Sequence, residues 1–119
     1  MPHPKTILVV DDDSDVRESV TDLLELYGYR VIAACDGRSA LVQLKDAAPP
    51  PSLILLDLVM PVLDGWSFLK RARRNRRLAG VPIVIITGEN TSEVPGATAV
   101  LRKPVAPEAL LARVEQLLR

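Results

Sequence analysis

Three aspartates in succession, Asp11, Asp12 and Asp13, follow the short apolar run Thr6–Val10, and a single aspartate, Asp57, closes a second such run, Leu53–Asp57. Thr87 closes a third, Pro82–Thr87, and Lys103 follows a fourth, Thr98–Leu101. Carboxylates brought together repel one another, so some stay protonated or a cation neutralises them. The chain has one cysteine, Cys35, and one histidine, His3, which excludes an intrachain disulfide and a cysteine or histidine cluster for zinc. Any metal must then be held by oxygens, and that points to a hard ion, Mg2+. An aspartate beside such an ion can attack a phosphoryl group, because the ion, a lysine and a hydroxyl can share the charge on the equatorial oxygens.

That chemistry needs residues distant in sequence to meet at one place. Thr6–Val10, Arg30–Ala34, Leu53–Asp57, Pro82–Thr87 and Thr98–Leu101 are short, apolar and partly β-branched, as strands are. Helical spacing separates the first of them: Val16, Val20, Leu23, Leu24 and Tyr27 share one face, with Gly28 as a left-handed stop. Ala40, Leu41 and Leu44 predict a second helix from near Gly37, ended by the loop of Ala48 to Pro51. Trp66, Leu69 and Ala72 or Arg73 predict a third, capped by Asp64. A last one starts near Pro107 and repeats Leu110, Val114, Leu117 and Leu118. Strands alternating with helices imply an α/β fold with a parallel sheet. The first and third runs, apolar throughout, belong in its middle. In such a sheet ligands bind at the carboxyl ends of the strands, where all these polar residues fall.

In this order Val9-Val10-Asp11-Asp12, Leu55-Leu56-Asp57, Met60-Pro61 with Asp64-Gly65, Ile86-Thr87 and Lys103-Pro104 resemble the receiver domains of two-component signalling response regulators. The resemblance runs over almost the whole chain and makes residues 1–119 one receiver domain. It implies a flavodoxin-like (CheY-like) five-stranded parallel sheet with helices on both faces. It also implies that Asp57 is the phosphoacceptor, and that Asp12, Asp57 and the backbone carbonyl of Val59 ligate magnesium, with Asp11 helping through water. Thr87 and Lys103 would contact the phosphoryl oxygens, and Lys103-Pro104 is a candidate cis peptide. The expected partners are a sensor histidine kinase or histidine phosphotransfer protein, and an output domain or downstream protein.

Two departures stand out from the family pattern. Residues 88 to 97 leave too little chain for the helix expected between the fourth and fifth strands, and Gly88, Asn90, Thr91, Ser92, Pro95 and Gly96 give that stretch a loop composition. A loop replaces the fourth helix, and phosphorylation is expected to act by ordering a mobile segment from Gly88 to Gly96. Val100 occupies the place where the family usually has a Tyr or Phe, so the aromatic switch is not expected either.

Plainer readings exist for several residues. Asp13 or Ser14 serves as a helix cap. The basic run Lys70, Arg71, Arg73, Arg74, Arg76 and Arg77 is expected to be a solvated helix face, because it lacks the interleaved aromatics of a nucleic-acid surface. Trp66 is expected at the core or its edge, and Cys35 as a small buried hydrophobe.

The 119 residues, 48% hydrophobic, suit one core. Fifteen basic residues balance fifteen acidic ones, so no bulk field draws nucleic acid or a membrane surface. No apolar run approaches the roughly 20 residues needed to span a bilayer, and a cytoplasmic location is expected. A phosphatase of the haloacid dehalogenase type also carries acids after its first strand, but needs a second acidic cluster after the lysine. Past Lys103 the chain has only Glu108 and Glu115. A phosphoacceptor that is not an enzyme is therefore the expected activity, ahead of both that alternative and a receiver serving only for docking.

Overall fold

The computed structural model describes residues 4–47, 49–91 and 93–119; His3, Ala48 and Ser92 lie outside these. Nine elements succeed one another: β1 (Thr6–Val10), α1 (Ser14–Leu26), β2 (Arg30–Ala34), α2 (Gly37–Asp46), β3 (Leu53–Leu56), α3 (Gly65–Arg74), β4 (Ile83–Thr87), β5 (Ala99–Arg102) and α4 (Pro107–Leu117). All strands are parallel, in the order β2-β1-β3-β4-β5. β1, β3 and β4 are buried almost throughout, as interior strands covered on both faces must be.

Side-chain alternation along each strand divides the apolar residues into two cores. Leu8, Val10, Ile54, Leu56, Ile83 and Ile85 pack with Ala40 and Leu44 of α2 and with Phe68, Leu69 and Ala72 of α3. Ile7, Val9, Leu53, Leu55, Val84 and Ile86 pack on the other face with Leu24 of α1 and Leu110, Leu111 and Val114 of α4. The helix starts obey local chemistry. Asp13, Asp36 and Asp64 each accept a hydrogen bond from the first turn of α1, α2 and α3. Gly28 takes φ +90 just past α1, the left-handed conformation its position predicts.

Between β4 and β5 no helix forms among the described residues. The connection is nevertheless held in its second half: Val94 is buried in the first core, Ala97 packs against it, and the Arg73 Nε donates to the Gly96 carbonyl at 2.7 Å. Gly88 to Asn90, Glu93, Pro95, Gly96 and Thr98 are exposed. Val100 packs against the same core without an aromatic ring.

Strand ends differ by a residue from expectation. β3 stops at Leu56 and leaves Asp57 outside it, while β5 begins at Ala99 and ends at Arg102. At its start the Thr98 hydroxyl accepts the Ile83 amide, so a side chain stands in for a ladder partner there.

Three expectations need correction. Trp66 is 43% exposed, because the buried face of α3 is carried by Phe68, Leu69 and Ala72, two or more positions further round the helix. Cys35 is exposed, since β2 is an edge strand and ends at Ala34. The basic run is not uniformly solvated. Arg73 Nη1 donates to the carbonyls of Leu78, Ala79 and Val81, and Arg77 donates to those of Leu44 and Ala47, so they tie down the segment after α3 and the end of α2.

Candidate functional site

Asp11, Asp57 and Lys103 are each the first residue beyond a strand, and each amide still donates to the neighbouring strand. Asp11 N–H reaches Ala34 O at 3.2 Å, Asp57 N–H reaches Val10 O at 3.0 Å, and Lys103 N–H reaches Thr87 O at 2.8 Å. The sheet ladder thus extends one step past each strand and sets the direction of the three side chains. They converge: Lys103 Nζ lies 3.1 Å from Asp11 Oδ2 and 3.5 Å from Asp57 Oδ2. These are the only ion pairs among the described residues.

Asp11, Asp57 and Thr87 are the buried polar residues among those described. Asp12, exposed, completes a cluster in which Asp11, Asp12 and Asp57 each offer a carboxylate oxygen, all within 4.8 Å of one another. The Asp11 carboxylate also accepts the Asp13 amide at 2.9 Å, and its carbonyl accepts from the Arg17 guanidinium at 2.7 Å. Arg17 is a positioning contact that no motif in the sequence signals. Thr87 Oγ1 accepts the Glu89 amide at 3.1 Å, which ties the hydroxyl to the loop beyond β4. Val59 is exposed, and its amide donates to Asp57 Oδ1 at 3.4 Å. Lys103-Pro104 is cis.

Charge at the site is unevenly shared. Burial pushes the Asp57 carboxyl above its ordinary value and the Asp11 charge pushes it further, while Lys103 and the Val59 amide oppose this incompletely. Burial alone would lower the Lys103 ammonium. Its hydrogen bond to Asp11 and the charges of Asp11 and Asp57 outweigh that and raise it. One cation shared by two buried carboxylates, and closer to Asp11, leaves Asp57 under-compensated. An oxygen-only donor set with surplus negative charge fits a hard divalent cation.

The metal-free protein should depend on pH accordingly. Asp57 has a folded-state pKa above its unfolded one, so between the two the folded state binds more protons and stability falls as pH rises. The window runs from the ordinary aspartate range up through the raised titration. Lys103, also raised, keeps its contribution at neutral pH and loses it only as pH climbs past the ordinary lysine range. Thermal melts of the metal-free protein across the acid side should show this decline, and Asp57→Asn should flatten it. An unchanged slope in Asp57→Asn would remove Asp57 as its source.

The loop from Leu58 to Asp64 shapes the mouth of the site. Val62 stands at φ 69, a left-handed conformation that is strained for a β-branched residue. Gly37 at the start of α2 donates its amide to Leu63 O at 3.2 Å, and Gly65 donates to Leu58 O at 2.9 Å. At either glycine a Cβ would meet backbone: 2.6 Å from Leu63 O at Gly37, and 2.2 Å from Asp57 O at Gly65. The sequence marks both glycines as helix starts, and their close approach to this loop has no separate sequence signal.

A family model described as "Response regulator receiver domain" matches residues 7–115. Among curated proteins the chain is 38% identical to the "DNA-binding dual master transcriptional regulator RpaA" of Synechocystis over 95% of its own length and 48% of the relative's. It is 36% identical to the "Phosphate regulon transcriptional regulatory protein PhoB" of Escherichia coli, over 97% of the chain and 52% of that protein. The chain thus spans about half the length of the curated relatives it matches. Among solved structures, the chemotaxis response regulator CheY4 of Vibrio cholerae superposes with a TM-score of 0.88 at 34% identity, covering 97% of this chain and 99% of that one. A beryllofluoride-activated DrrB receiver domain superposes at 0.83 with 27% identity, covering 97% of each.

Proposed function

The chain belongs to the response regulator receiver domains, the regulatory phosphoacceptors of two-component signalling, and on that premise we propose that Asp57 is its acceptor and Asp11, Asp12, Thr87 and Lys103 its supporting set. The observation that carries this is the reach of Lys103 Nζ to both Asp11 and Asp57 beside a three-carboxylate cluster. In the reaction an Asp57 oxygen attacks phosphorus, and the bond from phosphorus to the donor's imidazole nitrogen breaks. The carboxylate becomes an acyl phosphate, and the freed imidazole keeps the electron pair. Lys103, already between the two aspartates, can turn to the incoming phosphoryl oxygens while Asp11 holds its other side. The Thr87 hydroxyl, buried at the end of β4, can donate to the same oxygens.

Magnesium, when bound, would draw charge from the phosphoryl oxygens. Asp12 and Asp57 would hold it with the carbonyl of Val59, and Asp11 would act through water. Two or three carboxylates make a weak cage for this ion, so affinity without phosphate should be low. In excess chelator, or in Asp12→Ala, incorporation of phosphate from acetyl phosphate should fall to background. Undiminished incorporation in chelator would rule the metal-dependent mechanism out.

The donor is a histidine kinase or a histidine phosphotransfer protein. Next to Lys103 a groove of about 590 Å³ lies between α1 and the approach to α4, with Val16, Val20, Ile86, Val105 and Leu110 supplying an apolar lining. A partner that presents apolar side chains beside its phosphohistidine suits this groove. The output, whether a further domain or a separate protein, enters the same proposal only as the step downstream of Asp57.

The phosphoryl signal would travel through Thr87. When its hydroxyl donates to phosphoryl oxygens, Thr87 Oγ1 is drawn toward Asp57 and the Glu89 amide that donates to the same oxygen is drawn with it, so the backbone of Gly88 to Thr91 responds first. Hydrogen exchange with and without beryllofluoride should change at 88–91 and stay constant at 94–97, which Val94 and Arg73 already hold. Equal exchange at 88–91 in both states would sink this route.

A further inference from the structure

We propose that the groove between α3 and the β4–β5 connection docks an acidic amphipathic segment of a partner protein. The groove, about 570 Å³, has Trp66 and Leu69 along one wall, Lys70, Arg73 and Arg74 as its charges and Gly96 on the opposite lip. It exists because no helix fills the space beside α3: the connection turns back at Gly96, where φ is +90 and an added Cβ would lie 3.4 Å from Arg73 Cγ. The near lip is thereby held against the helix while the rest stays open.

Charge decides what fits. The chain is neutral overall, yet from Gly65 to Gly88 it carries six cations and no carboxylate. No acidic side chain lines the groove or pairs with its cations among the described residues. Arg73 is fixed by four backbone carbonyls, which neutralise none of its charge, and its Nη2 makes no hydrogen bond among the described residues. It is therefore a preorganised cation, flanked by the exposed Lys70 and Arg74. Trp66, 43% exposed, offers a large ring with little conformational entropy to lose, the profile of an interface anchor. A helix with apolar residues on one stripe and glutamates beside them matches both features.

Nucleic acid suits the groove less well. Binding of single strands draws on several aromatics spaced along a cationic track, and here one ring, Trp66, lines the groove. The site lies on the sheet face opposite the one covered by α1 and α4, so a partner there would not obstruct the groove beside Lys103.

The test uses a synthetic amphipathic helix with leucines along one stripe flanked by glutamates, and the same peptide with lysines in place of glutamates. Titrated into the 15N-labelled domain, the glutamate peptide should saturate and shift the Trp66 indole and the amides near Lys70, Arg74 and Gly96. Trp66→Ala should weaken binding about tenfold or more. The Lys70→Glu, Arg74→Glu double variant should weaken it about tenfold. Both changes are at exposed positions, and the wild-type shift map stands even if a variant misfolds. Equal binding of the lysine peptide, no saturable shift, a shift map centred on α1, or tighter binding of an oligothymidylate than of the glutamate peptide would each overturn the proposal.

Discussion

Asp57→Asn should take up no phosphoryl group. Mass spectrometry of the wild-type domain treated with acetyl phosphate and magnesium should show one added phosphoryl group, and the variant should show none. The expectation rests on geometry: Asp11 and Asp57 are both buried, both in the three-acid cluster and both in contact with Lys103, but Asp11 is engaged by the nearer lysine contact and by the Asp13 amide, which leaves Asp57 the less committed carboxylate. The amide of Asn keeps the shape of the side chain and removes its nucleophilic oxygen. Full labelling in Asp57→Asn, whether on Asp11, Asp12 or elsewhere, would overturn the assignment.

Gly65→Ala should cost about 3 kcal/mol of folding stability and most of the phosphoryl uptake. A methyl group there would lie 2.2 Å from the Asp57 carbonyl oxygen and 2.6 Å from the Leu58 Cα, and both are backbone atoms that no rotamer change can move. Either α3 retreats or the backbone at Asp57 shifts. The first loosens Phe68 and Leu69 in the core, and the second turns the acceptor away from Lys103. Urea titration reads the stability and acetyl phosphate labelling reads the site. An Ala variant with wild-type midpoint and full labelling would show that the contact relaxes freely.

The sheet and the site were legible in the sequence for a common physical reason. Interior parallel strands must be apolar over their whole length, so Ile7 to Val10 and Leu53 to Leu56 stand out, and any acid directly after them stands out equally. The loop in place of a helix was legible from the short chain between residues 88 and 97 and from its glycine, proline and small polar residues. The features that stayed hidden depend on the pairing of distant segments. Trp66 lies on the outer side of α3 because Phe68 and Leu69 meet the sheet, a choice between two helix faces that periodicity over ten residues leaves close. Cys35 comes after a strand whose edge position only the strand order reveals. Arg73 looks like any other member of a basic run until the carbonyls of residues 78, 79, 81 and 96 gather around it.

The amide bonds from Asp11, Asp57 and Lys103 to their neighbouring strands separate two kinds of evolutionary constraint. Asp11, Asp57 and Lys103 inherit their spacing from the ladder of β2, β1, β3, β4 and β5, and among the described residues of the segment between Thr87 and Thr98 only Glu89 touches the site, through its amide on Thr87. A lineage can therefore shorten that segment, lose its helix and acquire a new surface, while selection on the chemistry sees little change. Changes on the periphery can then alter the docking surface while the strand ends keep the spacing that the phosphoryl chemistry needs.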